Sequence, residues 1–102
     1  MYIVMNHFTI DDTRRKEFEE VWLNRDRRLK EMKGFLSFKF LKGDANEGKR
    51  IYCSHTTWET EEDFIAWTES EQFKQVHNNI KTPPGIILGP PSFGGYEVIL
   101  DN

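Results

Sequence analysis

Residues 2–10, Tyr-Ile-Val-Met-Asn-His-Phe-Thr-Ile, are rich in β-branched and aromatic side chains and predict a strand. Strand positions alternate between faces, so Tyr2, Val4, Phe8 and Ile10 share one face with Asn6 among them. Ile3, Met5 and His7 take the other. Asp11 or Asp12 then offers an N-cap, with acidic charge suited to the positive end of a helix dipole. Phe18, Val21, Trp22, Leu29 and Met32 recur at helical spacing, with Arg25 on the same stripe. Lys30 and Lys33 fall in the last turn, and Gly34 stands where a left-handed residue would stop the helix.

Residues 35–42 predict a second strand, 43–48 a polar turn and 49–58 a third strand, so 35–58 reads as a hairpin. Thr60 opens a helix, since Thr60-Glu61-Glu62-Asp63 is close to a capping box, and Phe64 and Trp67 form its buried side. Ser70-Glu71-Gln72-Phe73 resembles a second cap, which predicts a break there and a restart through Ile80. All four prolines and four of the seven glycines lie in 83–95, which predicts a loop, and 96–101 reads as the last strand. The order β-α-β-β-α-β is the α+β, ferredoxin-like pattern: an antiparallel sheet with two helices on one face. No repeat or linker divides the chain, so one domain over 1–102 is expected. The other sheet face needs a cover. With apolar Ile3 and Met5 there, the pattern predicts a homodimer in which two sheets pack face to face.

Composition narrows the class. The 102 residues suit one domain, and 37% hydrophobic with 30% charged residues excludes both a disordered chain and a bundle of membrane helices. No apolar run approaches the roughly 18 residues of a spanning helix. The first residues show no basic region or A-x-A-like site, so no export signal is expected. A single cysteine, Cys53, forbids an intrachain disulfide and fits a reducing, cytoplasmic location. The net charge of −3 argues against nucleic acid, and the one basic cluster, Arg25-Asp26-Arg27-Arg28-Leu29-Lys30, lies inside a helical pattern. The aromatic fraction, 14% with three tryptophans, exceeds what a small core needs and suggests a ligand cavity with aromatic walls.

Some residues do not fit a bland core. A buried amide without partners costs a few kcal/mol, so Asn6 either bonds a neighbour, faces a wet pocket, or points its amide at a ligand. No two of His7, His55 and His77 are at i, i+3 or i+4, so zinc spacings are absent. A lone helical histidine such as His77 is usually a surface or capping residue, but a single histidine can also hold a haem iron. Arg25 either snorkels from the core edge or meets an anionic ligand group. Trp22 is core or cavity wall, and Cys53 reads as a small buried apolar residue.

Asn6 within Met5-Asn6-His7-Phe8-Thr9, Trp67 within Ala66-Trp67-Thr68 and His77 within Val76-His77-Asn78 form an ordered set, the last two ten residues apart. With Gly34-Phe35, Trp58-Glu59 and Trp22-Leu23-Asn24-Arg25, the chain resembles the IsdG-type haem-degrading monooxygenases. These belong to the antibiotic-biosynthesis-monooxygenase superfamily of dimeric α+β barrels. The resemblance covers nearly the whole chain.

The resemblance implies that His77 is the axial iron ligand. Trp67 would press on the porphyrin and ruffle it, and Asn6 would hydrogen-bond the iron-bound oxygen species. Haem, an apolar plate with two propionates, would be substrate and cofactor together, held by Trp22, Phe64 and Trp67 with Arg25 at the rim. O₂ and an external electron donor, a reductase, would complete the reaction. On an unbroken helix, ten residues at 100° each would put His77 about 80° from Trp67, and a break at Ser70 would change that angle. Three rival readings remain: a cofactor-free monooxygenase of an aromatic polyketide or quinol, a non-catalytic haem-binding carrier, and a structural dimer with no ligand.

Overall fold

A computed structural model describes residues 1–25, 28–79 and 82–102, with the backbone alone at 78 and 79. The elements are β1 (Tyr2–Asp11), a 3-10 turn (Asp12–Arg14), α1 (Arg15–Leu23) and a second 3-10 turn (Leu29–Glu31). β2 (Phe35–Asn46), β3 (Lys49–Trp58), α2 (Glu61–Thr68), α3 (Glu71–Asn79) and β4 (Ser92–Glu97) follow. The sheet is antiparallel, in the order β2-β3-β1-β4. This is the α+β ferredoxin-like arrangement that the pattern predicts.

The register puts Val4 beside Thr56 and Asn6 beside Ser54, while Phe38 and Phe40 lie beside Thr56 and Ser54 from the far side. This face carries the helices. Its apolar side chains form two groups. One holds Val4, Leu29, Trp58, Trp67 and Val76; the other holds Ile10, Phe18, Trp22, Tyr52 and Ile86. Each large side chain fully buried here stabilises the fold by about 1.5–3 kcal/mol. Tyr52 donates its hydroxyl hydrogen bond to Glu19 of α1, which also pairs with Lys42 at 3.1 Å. That network ties α1 to the sheet and pushes the Tyr52 phenol above its ordinary pKa, through burial first and the carboxylate second.

Both caps in the second helical region form. The Thr60 hydroxyl accepts from the Asp63 N–H at 3.1 Å, and the Ser70 hydroxyl accepts from the Phe73 N–H at 3.1 Å. The helix therefore breaks between α2 and α3; the expected end at Ile80 lies outside the described residues. Asp11 caps the turn before α1, accepting from the Thr13 N–H at 3.0 Å.

Three boundaries differ from expectation. The first helix ends at Leu23 rather than at Gly34: the Arg25 N–H bonds back to the Trp22 carbonyl, and Arg28 is left-handed at φ 51°. No α-helix continues through such a residue. Leu29 still reaches the core from the following 3-10 turn, and Gly34 is left-handed at φ 81° as expected. The hairpin turn is shorter than 43–48: β2 runs to Asn46, and Glu47 and Gly48 alone reverse the chain, both at positive φ, the geometry that matches sheet twist. The last strand is Ser92–Glu97, not 96–101. Gly94 and Gly95 sit inside it because a Cβ on Gly95 would stand 1.9 Å from the Tyr2 hydroxyl and one on Gly94 would stand 2.5 Å from that of Tyr96. Glycine in a strand here marks close approach rather than a loop.

The opposite sheet face carries Met5, His7, Cys53 and His55, with Met5 beside His55 and His7 beside Cys53. Burial raises the pKa of Cys53, and His55 Nδ1 is buried without a hydrogen-bond partner among the described residues.

Candidate functional site

Between the two apolar groups lies a cavity of about 440 Å³, within the range of small-molecule sites. Asn6, Trp22, Arg25, Phe64, Trp67 and His77, the six residues singled out from the sequence, all line it. Its floor is the sheet, where Asn6, Ser54 and Thr56 interrupt Val4, Phe8 and Phe38. Trp22 and Arg25 close it on the α1 side, and Phe64, Trp67, Phe73, Val76 and His77 form the α2–α3 wall. Thr82, Ile87 and Pro91 reach it from the loop before β4. That loop is laced to β1, with Leu88 N–H donating to the Thr9 carbonyl at 2.8 Å and Asp11 N–H to that of Ile86 at 2.9 Å.

The break at Ser70 does more than end a helix. It brings Trp67 and His77 to one cavity through a shared neighbour: Phe73 meets Trp67 edge-on at 5.4 Å and stacks on His77 at 3.9 Å. His77 Nδ1 lies 2.9 Å from the Phe73 carbonyl oxygen. A carbonyl only accepts, so Nδ1 carries the proton, and in the neutral ring Nε2 keeps the lone pair. Desolvation, and then the positive charge of Arg25, hold the His77 pKa below its ordinary value against the opposing pull of the Phe73 carbonyl. The lowered pKa and the Nδ1 contact favour the neutral imidazole protonated on Nδ1, the form that binds a metal.

The Arg25 guanidinium sits 4.3 Å from the Trp22 ring centroid. That is cation–π distance, which holds the charge at the cavity edge while the stem covers apolar surface. His7 and His55 stand on the other sheet face, away from the cavity. Among the described residues, no group of three or more His, Cys, Asp and Glu side chains converges as a metal site.

Ser54, Thr56, Phe73 and Val76 line the cavity without having stood out in the sequence. The hydroxyls belong to an alternation, Tyr52, Ser54, Thr56, Trp58, whose face becomes legible only once β3 is registered against Asn6.

A model of the antibiotic biosynthesis monooxygenase family matches residues 1–79, and the chain belongs to that family. It is 32% identical over 82 residues to the staphylobilin-producing heme oxygenase of Staphylococcus haemolyticus, covering 78% of this chain and 75% of that relative. It is 36% identical over 62 residues to the heme-degrading monooxygenase of Shouchella clausii, a match over 61% of this chain and 58% of that protein's length. The fold superposes on the heme degrader MhuD of Mycobacterium tuberculosis, a structure with two hemes bound in its active site. That TM-score is 0.76 at 24% identity, covering 100% of this chain and 99% of that one, a likeness of fold.

Proposed function

We propose that the protein is a haem-degrading monooxygenase that takes haem as its substrate on His77, bends the ring against Trp67 and opens it with O₂ and electrons from an external reductase. The products are iron and a bilin. The observation that carries this reading is the placement of His77: its Nδ1 lies against the Phe73 carbonyl oxygen, which leaves Nε2 for a ligand in an aromatic-walled cavity. Apolar walls suit the porphyrin plate, and Arg25 suits a propionate. Asn6, on the floor, donates its amide to the oxygen side of the iron. Relatives named for heme degradation support the same reading.

The reading also makes the protein a cytoplasmic homodimer of one domain over 1–102. Each subunit keeps its own cavity, and the two sheets cover one another through the face that bears Met5 and His55. Light scattering at micromolar concentration tests it, and a monomeric mass refutes it. The decisive experiment for the activity is aerobic hemin turnover with a reductant, followed by mass spectrometry of the pigment. A Soret band that bleaches to a bilin is expected. A band that persists would mean a carrier, and no band at all would mean a cofactor-free oxygenase or a structural dimer without a ligand.

A further inference from the structure

The cavity floor holds a second polar group whose bonding is half complete. Val4 pairs with Thr56 and Asn6 with Ser54, so Asn6 and Thr56 are diagonal neighbours on one face of adjacent strands, about 7–8 Å apart in such sheets. Both line the cavity. The Thr56 hydroxyl accepts the indole N–H of Trp58 at 3.1 Å. A threonine hydroxyl has one proton to give besides the lone pairs it receives with. Among the described residues no protein group takes that proton. Trp58 is fully buried and stacks with Trp67 at 6.4 Å, so the indole that holds the Thr56 oxygen is itself held. With few rotamers open to a β-branched side chain, the O–H stays in the cavity floor.

We propose that Thr56 is a second hydrogen-bond donor to the diatomic ligand of a haem seated on His77, acting beside Asn6 and deciding which way that ligand leans. The inference rests on the haem reading above. One donor fixes how strongly the ligand is held; two donors on neighbouring strands fix its direction across the porphyrin. Direction selects the meso carbon that is attacked, so Thr56 is a specificity residue for the bilin isomer.

The test uses the carbon monoxide adduct of the reduced, hemin-loaded protein, because a donor near the ligand lowers its C–O stretching frequency. Thr56→Val removes the hydroxyl at nearly constant shape. It should leave hemin affinity within threefold, raise the C–O frequency, slow turnover roughly tenfold, as loss of one hydrogen bond predicts, and change the ratio of bilin isomers. Thr56→Ser should restore all of these. Trp58→Phe keeps the hydroxyl while deleting the bond that holds it, and should move the C–O frequency less than Thr56→Val does. Should Thr56→Val fail to fold, the adduct of the Asn6→Ala, Ser54→Ala double variant in H₂O and D₂O serves instead, since a remaining isotope shift then leaves Thr56 as the floor's donor. A C–O frequency unmoved in Thr56→Val, moved equally in Trp58→Phe, or free of isotope shift in that double variant overturns the proposal while the haem reading stands. A wild-type protein that shows no Soret band with hemin overturns both.

Discussion

Asn6, Ser54 and Thr56 stand on β1 and β3, the two central strands, each laddered to a neighbour on both sides. Across the cavity, Trp67, Phe73, Val76 and His77 stand on two short helices, each closed by one hydroxyl cap and held to the sheet by apolar packing. A central strand fixes the direction of a side chain, which is what a hydrogen bond to a small ligand requires. A capped helix with an aromatic face supplies area and one imidazole nitrogen, which suits holding a flat apolar molecule. The difference separates turnover from affinity: interactions made only on the way to reaction raise rate, while uniform ones raise affinity.

The largest effect should come from the floor. Asn6→Ala should bind hemin within a few-fold of wild type yet degrade it on the order of a hundredfold more slowly, the cost of one lost donor in a dry site. Single-turnover bleaching with a reductant measures it, and a wild-type rate would return Asn6 to the role of a core amide. On the helical wall the effect should reverse. His77→Ala should weaken hemin binding roughly tenfold, about 1.4 kcal/mol, and move the Soret band, while His7→Ala and His55→Ala leave both alone. A large change in His55→Ala instead would move the ligand to the other sheet face.

Trp67→Phe should sit between the two: binding retained, turnover reduced several-fold, because a smaller ring presses less on the porphyrin. Resonance Raman marker bands of the bound hemin would report the flatter ring. The smallest effect is one of pH. Iron takes the neutral imidazole, and the His77 pKa lies below its ordinary value, so hemin affinity should stay level through neutral pH and fall only on further acidification. Arg25 contributes to that lowering. Arg25→Gln should therefore move the acid limb to higher pH, and His77→Ala should remove it. Hemin titrations across pH read both.

Much of the frame was legible because β1 alternates cleanly and because Thr60 and Ser70 announce their caps. The break between α2 and α3, which brings Trp67 and His77 together, follows from a serine whose hydroxyl replaces a helical hydrogen bond. The overlong first helix was not legible: Phe18, Trp22 and Leu29 keep helical spacing, yet Leu29 reaches the core from a separate turn beyond the left-handed Arg28. Tertiary packing rewards the position of a side chain, not the helix assumed to deliver it. Gly94 and Gly95 misled for a similar reason, since only the rings of Tyr96, on the same strand, and Tyr2, from β1, explain why a strand there needs no side chains. Thr56 stayed hidden because a polar residue in a strand looks solvent-facing until its neighbour across the ladder is known.

The hydrogen bond from His77 to Phe73 spans one helical turn, so the imidazole and the group that orients it belong to a single segment. Metal-binding histidines often depend on a carboxylate or carbonyl delivered by a different part of the chain, and then any shift of one element detunes the ligand. Here the contact that orients the imidazole lies within α3 itself. Walls contributed by other elements can therefore be reshaped without retuning the imidazole, and a helix carrying phenylalanine and histidine four residues apart is the unit to transplant.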